Sequence, residues 1–199
     1  MTNENHESSL SPLEKIKWEV GKTFEYMQRM SEMGLAMITV SSLDDQLGVL
    51  LESFFVEDQK DADQILEYPG ALSTFGARIE LAFLLGLISS RERRLLNLIR
   101  KIRNDFAHEA NLVSFPQSRV SFSQSPIKDR CRELDITKIV EPGKQYDLSD
   151  PAARFINASI FLWLVLIHRT AQIKHREEAE SITEDDMASI IKKHSGEPE

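Results

Sequence analysis

The sequence predicts an all-α fold, a single-domain bundle of about five to seven helices with a long irregular excursion at residues 111–149. Two observations predict this class. Apolar residues recur every three or four positions in several long stretches, which is the period of an α-helix, and those stretches follow helix-capping residues. The alternating pattern of a β-strand is confined to short pieces such as 120–122. With 199 residues, 41% of them hydrophobic, the chain can form one domain with a core.

Residues 11–176 are predicted to form the helical domain, between two polar segments. Residues 1–10 lack hydrophobic periodicity and are expected to be a disordered lead, while residues 177–199 form a charged tail in which 182–191 could be a loose helix. The chain begins with polar and acidic residues rather than with a signal peptide, and its longest apolar run, 160–167, is shorter than the roughly 20 residues that cross a bilayer. We therefore expect a cytoplasmic protein without a membrane partner.

Two helices are predicted in the first part of the domain. Ser11 and Pro12 mark the start of the first, with serine as the N-cap and proline in the first turn. Gly34 is expected to end or bend it, and the second is expected from near Leu35 to Phe55. The apolar positions of the first helix are Ile16, Val20, Phe24 and Met27.

Charged residues interrupt two of the apolar helices, and Asp44, Arg78 and Glu80 are predicted to form buried polar support. Asp44 has two interpretations, a solvated face or a carboxylate directed at a cation such as Arg103, because aspartate is rarely fully buried. Residues 75–88 are apolar almost all round, so this helix, including Leu84, is expected in the core. Within it Glu80 needs a cation, and Arg103 on the next helix is the expected partner.

The helix from Ser90 to Ala110 is predicted to follow that helix in a hairpin with a very tight turn. Its start carries a capping signal, Ser89 or Ser90 with Glu92. One face is apolar, and Arg103 lies at its edge, where a guanidinium must find an anionic or carbonyl partner. The apolar face consists of Leu95, Leu98, Ile99, Ile102 and Phe106, and the opposite face of Arg93, Asn97, Arg100, Lys101, Asn104 and His108.

The excursion at 111–149 has no helical period. Its prolines, glycine and serines indicate a surface segment with at most one small β-hairpin. Pro151 then begins another helix, expected to reach about His175, which is apolar on nearly every side and contains Trp163. We expect this helix and the hairpin 75–109 at the centre of the bundle.

Composition excludes several classes of function. The net charge of −8 and the pI of about 5.2 argue against broad adhesion to DNA or to an anionic membrane. The sequence has no glycine-rich phosphate loop, no nucleophile elbow and no paired-histidine zinc motif. Cys131 is the only cysteine and is interpreted as an inert thiol, and His168 and His175 are two helical turns apart, too far for one ion. We predict no metal and no cofactor.

The segment from Arg103 to His108 has the form Arg, polar residue, three residues, His. It resembles the R-x4-6-H motif of the HEPN superfamily, small helical domains of which many are metal-independent ribonucleases that act as dimers. In such chemistry His108 would transfer a proton, Arg103 would neutralise charge on the phosphate, and Asn104 would orient one of them. Five residues along a straight helix separate the two side chains by about 140°. Catalysis therefore requires either a break near Asn104 or a homodimer.

The wider stretch FGARIELAFLLGLIS, a turn and LLNLIRKIRNDFAH strongly resembles the MltR family, the mannitol operon repressor type of bacterial regulators. The resemblance covers roughly residues 43–110. It implies an all-helical cytoplasmic regulator of transcription without a recognised helix-turn-helix. It favours action through a protein partner over direct operator binding, which the acidity of the chain makes doubtful.

Three functional hypotheses follow. The first is a repressor-type regulator that works through protein partners and is not an enzyme. The second is a metal-independent ribonuclease of HEPN type, with RNA as substrate and a homodimer interface as active site. The third is a relative in which the motif is only a structural ion pair. The candidate contacts to nucleic acid are Arg93, Arg94, Arg100 and Lys101, although a charged stripe on a helix is usually just solvated.

Overall fold

The computed structural model describes residues 30–112, 120–135 and 149–181, with positions 183, 186–187 and 192–193. The described residues form six α-helices and no β-sheet, which confirms the all-α class. The predicted first helix, the lead at 1–10 and most of the charged tail lie outside them. The helices are α1 (Glu32–Glu52), α2 (Gln59–Leu66), α3 (Phe75–Leu84), α4 (Ser90–Leu112), α5 (Ile127–Arg132) and α6 (Pro151–Thr170).

Helix α1 begins slightly earlier than the sequence indicated. Ser31 is its N-cap, and the Oγ atom of Ser31 accepts a hydrogen bond from the amide of Gly34 at 3.1 Å. Gly34 therefore lies in the first turn of α1. Ser31, two positions before the apolar Met33, therefore marks the start of α1 better than Gly34 does.

Helices α3 and α4 form the predicted hairpin. Gly86, with φ of 73°, reverses the chain in a conformation that residues with a Cβ rarely adopt. Ser89 then caps α4 in a reciprocal pair: its Oγ accepts from the amide of Glu92 at 3.3 Å, and the Glu92 carboxylate accepts from the amide of Ser89 at 2.7 Å. The turn is tight and the capping signal is confirmed.

The expectation that the helix at 75–88 is buried on most sides, with Leu84 in the core, is wrong. It ends at Leu84, and that side chain is 77% exposed. Only Phe75, Ile79 and Ala82 of this helix are buried, since α3 packs on α1 and α4 with a single face. An apolar composition did not show which side of a short helix lacks a neighbour.

Helix α4 is a continuous helix of 23 residues that packs against α1, α3, α5 and α6. Its predicted apolar face is buried in full, from Leu95 to Phe106. Around it the core is completed by residues of every other long helix. This position makes α4 the element from which the candidate site is built.

Part of the irregular excursion is helical and belongs to the core. Residues 120–122 form no strand, and the ring of Phe122 packs between Phe106 at 4.8 Å and Phe155 at 5.1 Å between centroids. In the short helix α5, Ile127 and Cys131 are buried. The expected small β-hairpin is therefore wrong for 120–135, because a few apolar residues among serines fit a packed turn as well as a strand.

Helix α6 runs parallel to α1. At one end Gln46 donates a hydrogen bond to Thr170 at 3.4 Å, and at the other the charges of Glu32 and Asp150 both act on Cys131. Helix α6 ends at Thr170 rather than near His175, and it buries one face instead of nearly every side. Trp163 is partly buried against the core.

Helices α1 and α6 are long and apolar enough to span a membrane by length and composition alone. Core helices of globular proteins meet the same criterion, and half of the apolar window of α1 is buried in the bundle.

Candidate functional site on helix α4

The outer face of α4 carries the polar stripe that the sequence predicted. Arg94, Lys101 and His108 are exposed along it. The other members of the stripe are half-buried: Arg93, Asn97, Arg100 and Asn104. The first three turn towards α3.

Three of the half-buried members, Arg93, Asn97 and Arg100, are held in a network around Glu80 of α3. The Glu80 carboxylate accepts hydrogen bonds from Arg93 and, at 3.1 Å, from Asn97. The Oδ1 atom of Asn97 accepts from Arg100 at 3.2 and 3.3 Å, and the Arg93 guanidinium lies 4.5 Å from the ring centre of Phe83. Donors from Arg93 and Asn97 lower the pKa of Glu80. Arg93 and Arg100 are therefore occupied within the protein.

The prediction that Arg103 is the partner of Glu80 is wrong. In an antiparallel hairpin, residues at similar distances from the turn face each other. Glu80 and Arg93 lie on either side of Gly86 at nearly equal distances, whereas Arg103 is almost three turns (about 2.8) further along α4. The Glu80 side chain is also 44% exposed, so it is not a buried group.

Arg78 and Asp44 form a largely buried polar pair. Arg78 donates to the Asp44 carboxylate at 2.8 Å and also to the carbonyls of Asp44, Leu66 and Leu72. Burial raises the pKa of Asp44, while the charge and hydrogen bond of Arg78 act in the opposite direction. The partner of Asp44 is thus Arg78 rather than Arg103. Because the Arg78 guanidinium is used to join α1, α2 and the loop before α3, this pair has a structural role.

Arg103 and His108 do not meet within one chain. Because α4 is unbroken from Ser90 to Leu112, their side chains leave the helix about 140° apart. Arg103 donates to the Oδ1 atom of Asn104 at 3.2 Å, and its charge acts on Asp44 on the α1 side, whereas His108 is exposed. A break near Asn104 is thereby excluded, and an active site made by two chains stays a prediction.

Two ion pairs of α4 were not anticipated from the sequence. Asp105, inside the Arg-to-His motif, pairs with Arg130 of α5. Glu92 pairs with Arg169 of α6 at 2.9 Å while it caps α4. The only sequence signal for either was a charged residue at the margin of an apolar helical face.

The accessible part of the stripe is basic. We call Arg94 and Lys101, with Arg91 at the start of the helix, the α4 basic face. The Arg91 guanidinium donates to the carbonyl of Asp135 at 3.1 Å, and an open groove of about 370 Å³ lies between Ser90, Arg91, Arg94 and Asp135. On a chain of net charge −8 this face is a local basic surface.

The described residues contain no cluster of three or more histidine, cysteine or acidic side chains that could hold a metal ion. Cys131 lies on the buried face of α5, and burial raises the pKa of its thiol to about 12. A thiol in that setting does not act as a nucleophile at neutral pH.

Comparison with known proteins gives a fold. No protein-family model matches the chain, and no curated protein matches it. Among solved structures, the MtlR-HPr complex from Escherichia coli contains a similar chain. The alignment has a TM-score of 0.50 and 17% sequence identity, and it covers 77% of this chain and 96% of that chain. The two chains share an MtlR-like fold.

Proposed function

We propose that this chain is a transcriptional regulator of the mannitol operon repressor type that acts through a protein partner. The observation that carries the proposal is the fold shared with MtlR over nearly the whole of that chain, in a structure where MtlR is bound to HPr. The motif-bearing stretch that resembles this family, residues 75–108, forms the α3–α4 hairpin of the same fold. A protein of the HPr type is the partner we propose for this chain.

The charge distribution supports a protein partner over DNA. The chain carries 32 acidic and 24 basic residues. Two of the basic side chains on α4 are already hydrogen-bonded within the protein, Arg93 to Glu80 and Arg100 to Asn97. Arg94 and Lys101, about two helical turns apart, are exposed and bind no acidic side chain in the described structure. Two cations are few for a phosphate backbone but suit an acidic patch on a protein.

The test is a binding measurement with HPr of the same host and the full chain. We expect a saturable complex by calorimetry, and we expect Arg94→Glu with Lys101→Glu to weaken it about tenfold or more, since close charge pairs contribute on the order of 1.5 kcal/mol or more. The matched control reverses two exposed lysines elsewhere, Lys60→Glu with Lys174→Glu, and should leave the affinity unchanged. Absence of any complex would overturn the partner, and equal weakening by both pairs would overturn the α4 basic face.

The ribonuclease hypothesis predicts a result that would contradict the proposed regulator, namely RNA cleavage. Full-length protein incubated with RNA is expected to leave it intact, since Arg103 and His108 diverge within the chain. Cleavage by the wild-type protein that is lost in Arg103→Ala, with folding unchanged, would contradict the proposed regulator and establish an enzyme.

A further inference from the structure

Two leucines at the end of the α3–α4 hairpin project into solvent. Leu84 is 77% exposed and Leu85 is 36% exposed, and the ring of Phe83 beside them is only partly covered. Single apolar side chains are common on protein surfaces, but adjacent ones form a contiguous patch of the kind that marks an interaction site. We call Phe83, Leu84 and Leu85 the hairpin tip.

The turn holds the hairpin tip in one conformation. The amide of Gly86 donates to the carbonyl of Phe83 at 3.0 Å, and the amide of Leu87 donates to the carbonyl of Ala82 at 2.8 Å. This is the hydrogen-bond pattern of a Schellman motif, and its two apolar positions are the buried Ala82 and Leu87. The motif thus explains Leu87 but not the two leucines of the hairpin tip. A turn fixed in this way loses little conformational entropy when it binds.

The hairpin tip faces away from the core. Helix α3 buries Phe75, Ile79 and Ala82, and Leu84 lies on the opposite side of the helix. No atom of the described structure would lie within 4 Å of a Cβ atom at Gly86. The hairpin tip is therefore accessible to another molecule.

The flank of the hairpin tip is basic. Glu80 lies one turn before Leu84 on the same face of α3, and Arg93 neutralises its charge. The Arg93 guanidinium also lies 4.5 Å from the ring centre of Phe83. Arg94, the next residue along α4, is exposed and adds a positive charge. The hairpin tip and the α4 basic face therefore form one surface, apolar at the turn and positive along α4.

The charge of this surface selects among the molecules that cover apolar patches. Two copies of the chain meeting tip to tip would bring their basic flanks together, and like charges at an interface are unfavourable. An anionic bilayer would meet a chain of net charge −8. A protein with an apolar hollow bordered by carboxylates complements both the leucines and the arginines.

We propose that the hairpin tip is the apolar anchor of the interface with the protein partner, with Leu84 and Leu85 seated in an apolar hollow and Arg94 paired with carboxylates at its rim. This anchor rests on the proposed function, because its partner is the HPr-type protein that meets the α4 basic face. Buried apolar side chains at the centre of an interface slow dissociation, whereas charges at its rim mainly speed association.

Binding of HPr from the same host to the full chain, followed by surface plasmon resonance, tests the proposal. Leu84→Ser with Leu85→Ser should weaken the complex about tenfold or more, mainly through faster dissociation. The matched control, Ile38→Ser with Val49→Ser, changes two α1 side chains that are 40% and 45% exposed. It should leave both rate constants unchanged.

The results separate this anchor from the proposed function. Absence of a complex with the wild-type chain would overturn the proposed function and the anchor together. A wild-type complex that the Leu84 and Leu85 variant forms with equal affinity would overturn the anchor alone, as would equal weakening by the control pair.

Thiol protection covers the case in which the double variant fails to fold. Leu84→Cys should react rapidly with a disulfide reagent in the free protein and about tenfold more slowly with saturating HPr, whereas Ile38→Cys should react equally in both. Native Cys131 does not interfere, because it is buried. Unchanged reactivity of Leu84→Cys with HPr bound would overturn the anchor.

Two further results of the thiol experiment would assign the hairpin tip to another occupant. Protection of Leu84→Cys in the free protein that grows with protein concentration would overturn the anchor in favour of a second copy. Protection by phosphatidylcholine–phosphatidylglycerol vesicles, but not by HPr, would overturn it in favour of a bilayer.

Discussion

Arg78 and Arg93 show how the same residue type acquires different roles in one hairpin. Arg78 is 13% exposed and donates to one carboxylate and three backbone carbonyls, whereas Arg93 is 40% exposed and pairs with Glu80 beside the ring of Phe83. Gly48 of α1 makes room for the first: a Cβ there would lie 3.3 Å from the Nη1 atom of Arg78. Burial, rather than charge, decides what each arginine contributes.

Removing the Arg78 guanidinium should be costly. Arg78→Met leaves the largely buried Asp44 carboxylate and the carbonyls of Leu66 and Leu72 without their donor, so we expect a loss of about 3–5 kcal/mol of unfolding free energy in urea titrations. Arg93→Met is the comparison, with at most about 1 kcal/mol expected for a half-exposed pair. Similar losses in the two variants would contradict this assignment.

Glu80 gives a pH dependence of known sign. Because Arg93 and Asn97 lower its pKa in the folded state, its contribution to stability is present at neutral pH and is lost as the pH falls through the range where carboxylates titrate, about pH 5 to 3. Glu80→Gln should therefore destabilise the protein at pH 7 and have less effect at pH 3, as measured by thermal denaturation. A difference that grows towards low pH would show that the sign is wrong.

His108 and Phe106 provide a matched test of the two faces of α4. His108 is exposed, whereas Phe106 is fully buried and its ring packs against that of Phe122. His108→Ala should change the unfolding free energy by no more than about 0.5 kcal/mol, and Phe106→Ala should lower it by about 3–5 kcal/mol. Unfolding of the protein by His108→Ala would make the histidine structural and remove it from every proposed site.

At the scale of the element, the start of α4 depends on one acidic side chain. Glu92 accepts from the amide of Ser89 and from Arg169, and so it fixes both the hairpin turn and the contact with α6. Helix α4 can be read in the sequence as amphipathic and capped, but the second function of Glu92 needs a neighbour 77 residues away.

Glu92→Ala should cost about 2 kcal/mol, because it removes a cap and leaves the half-buried Arg169 without its carboxylate. Glu92→Gln retains an acceptor for the amide of Ser89 and should cost less. Chemical denaturation of the three proteins measures the difference. Equal stability of the wild type and Glu92→Ala would mean that neither contact stabilises the fold.

At the scale of the whole molecule, the thiol of Cys131 reports on the bundle. It lies on the buried face of α5, where burial raises its pKa to about 12. The native protein should therefore not react with a disulfide reagent at pH 8, and one thiol per chain should react after unfolding. Ser123→Cys, at an exposed position of the same segment, should react in the native state. Rapid labelling of Cys131 in the native protein would mean that 120–135 opens independently of the core.

The amino-acid pattern by itself determined the helical class, the α3–α4 hairpin with its cap, and which faces of α4 are buried and solvent-facing. These features follow from local periodicity and capping, because the spacing of apolar residues along an amphipathic helix shows which of its faces is apolar. The resemblance of residues 75–108 to the mannitol operon repressor type also agrees with the shared MtlR-like fold.

Only the tertiary structure decided the partners. Glu80 binds Arg93 rather than Arg103, Asp44 binds Arg78, and Leu84 is exposed because α3 has a neighbour on one side only. Phe122 enters the core from a segment without any helical period. Which side chains form ion pairs, and which are buried, depends on their distance from a turn and on which helices pack together. The spacing of residues along one helix does not determine either.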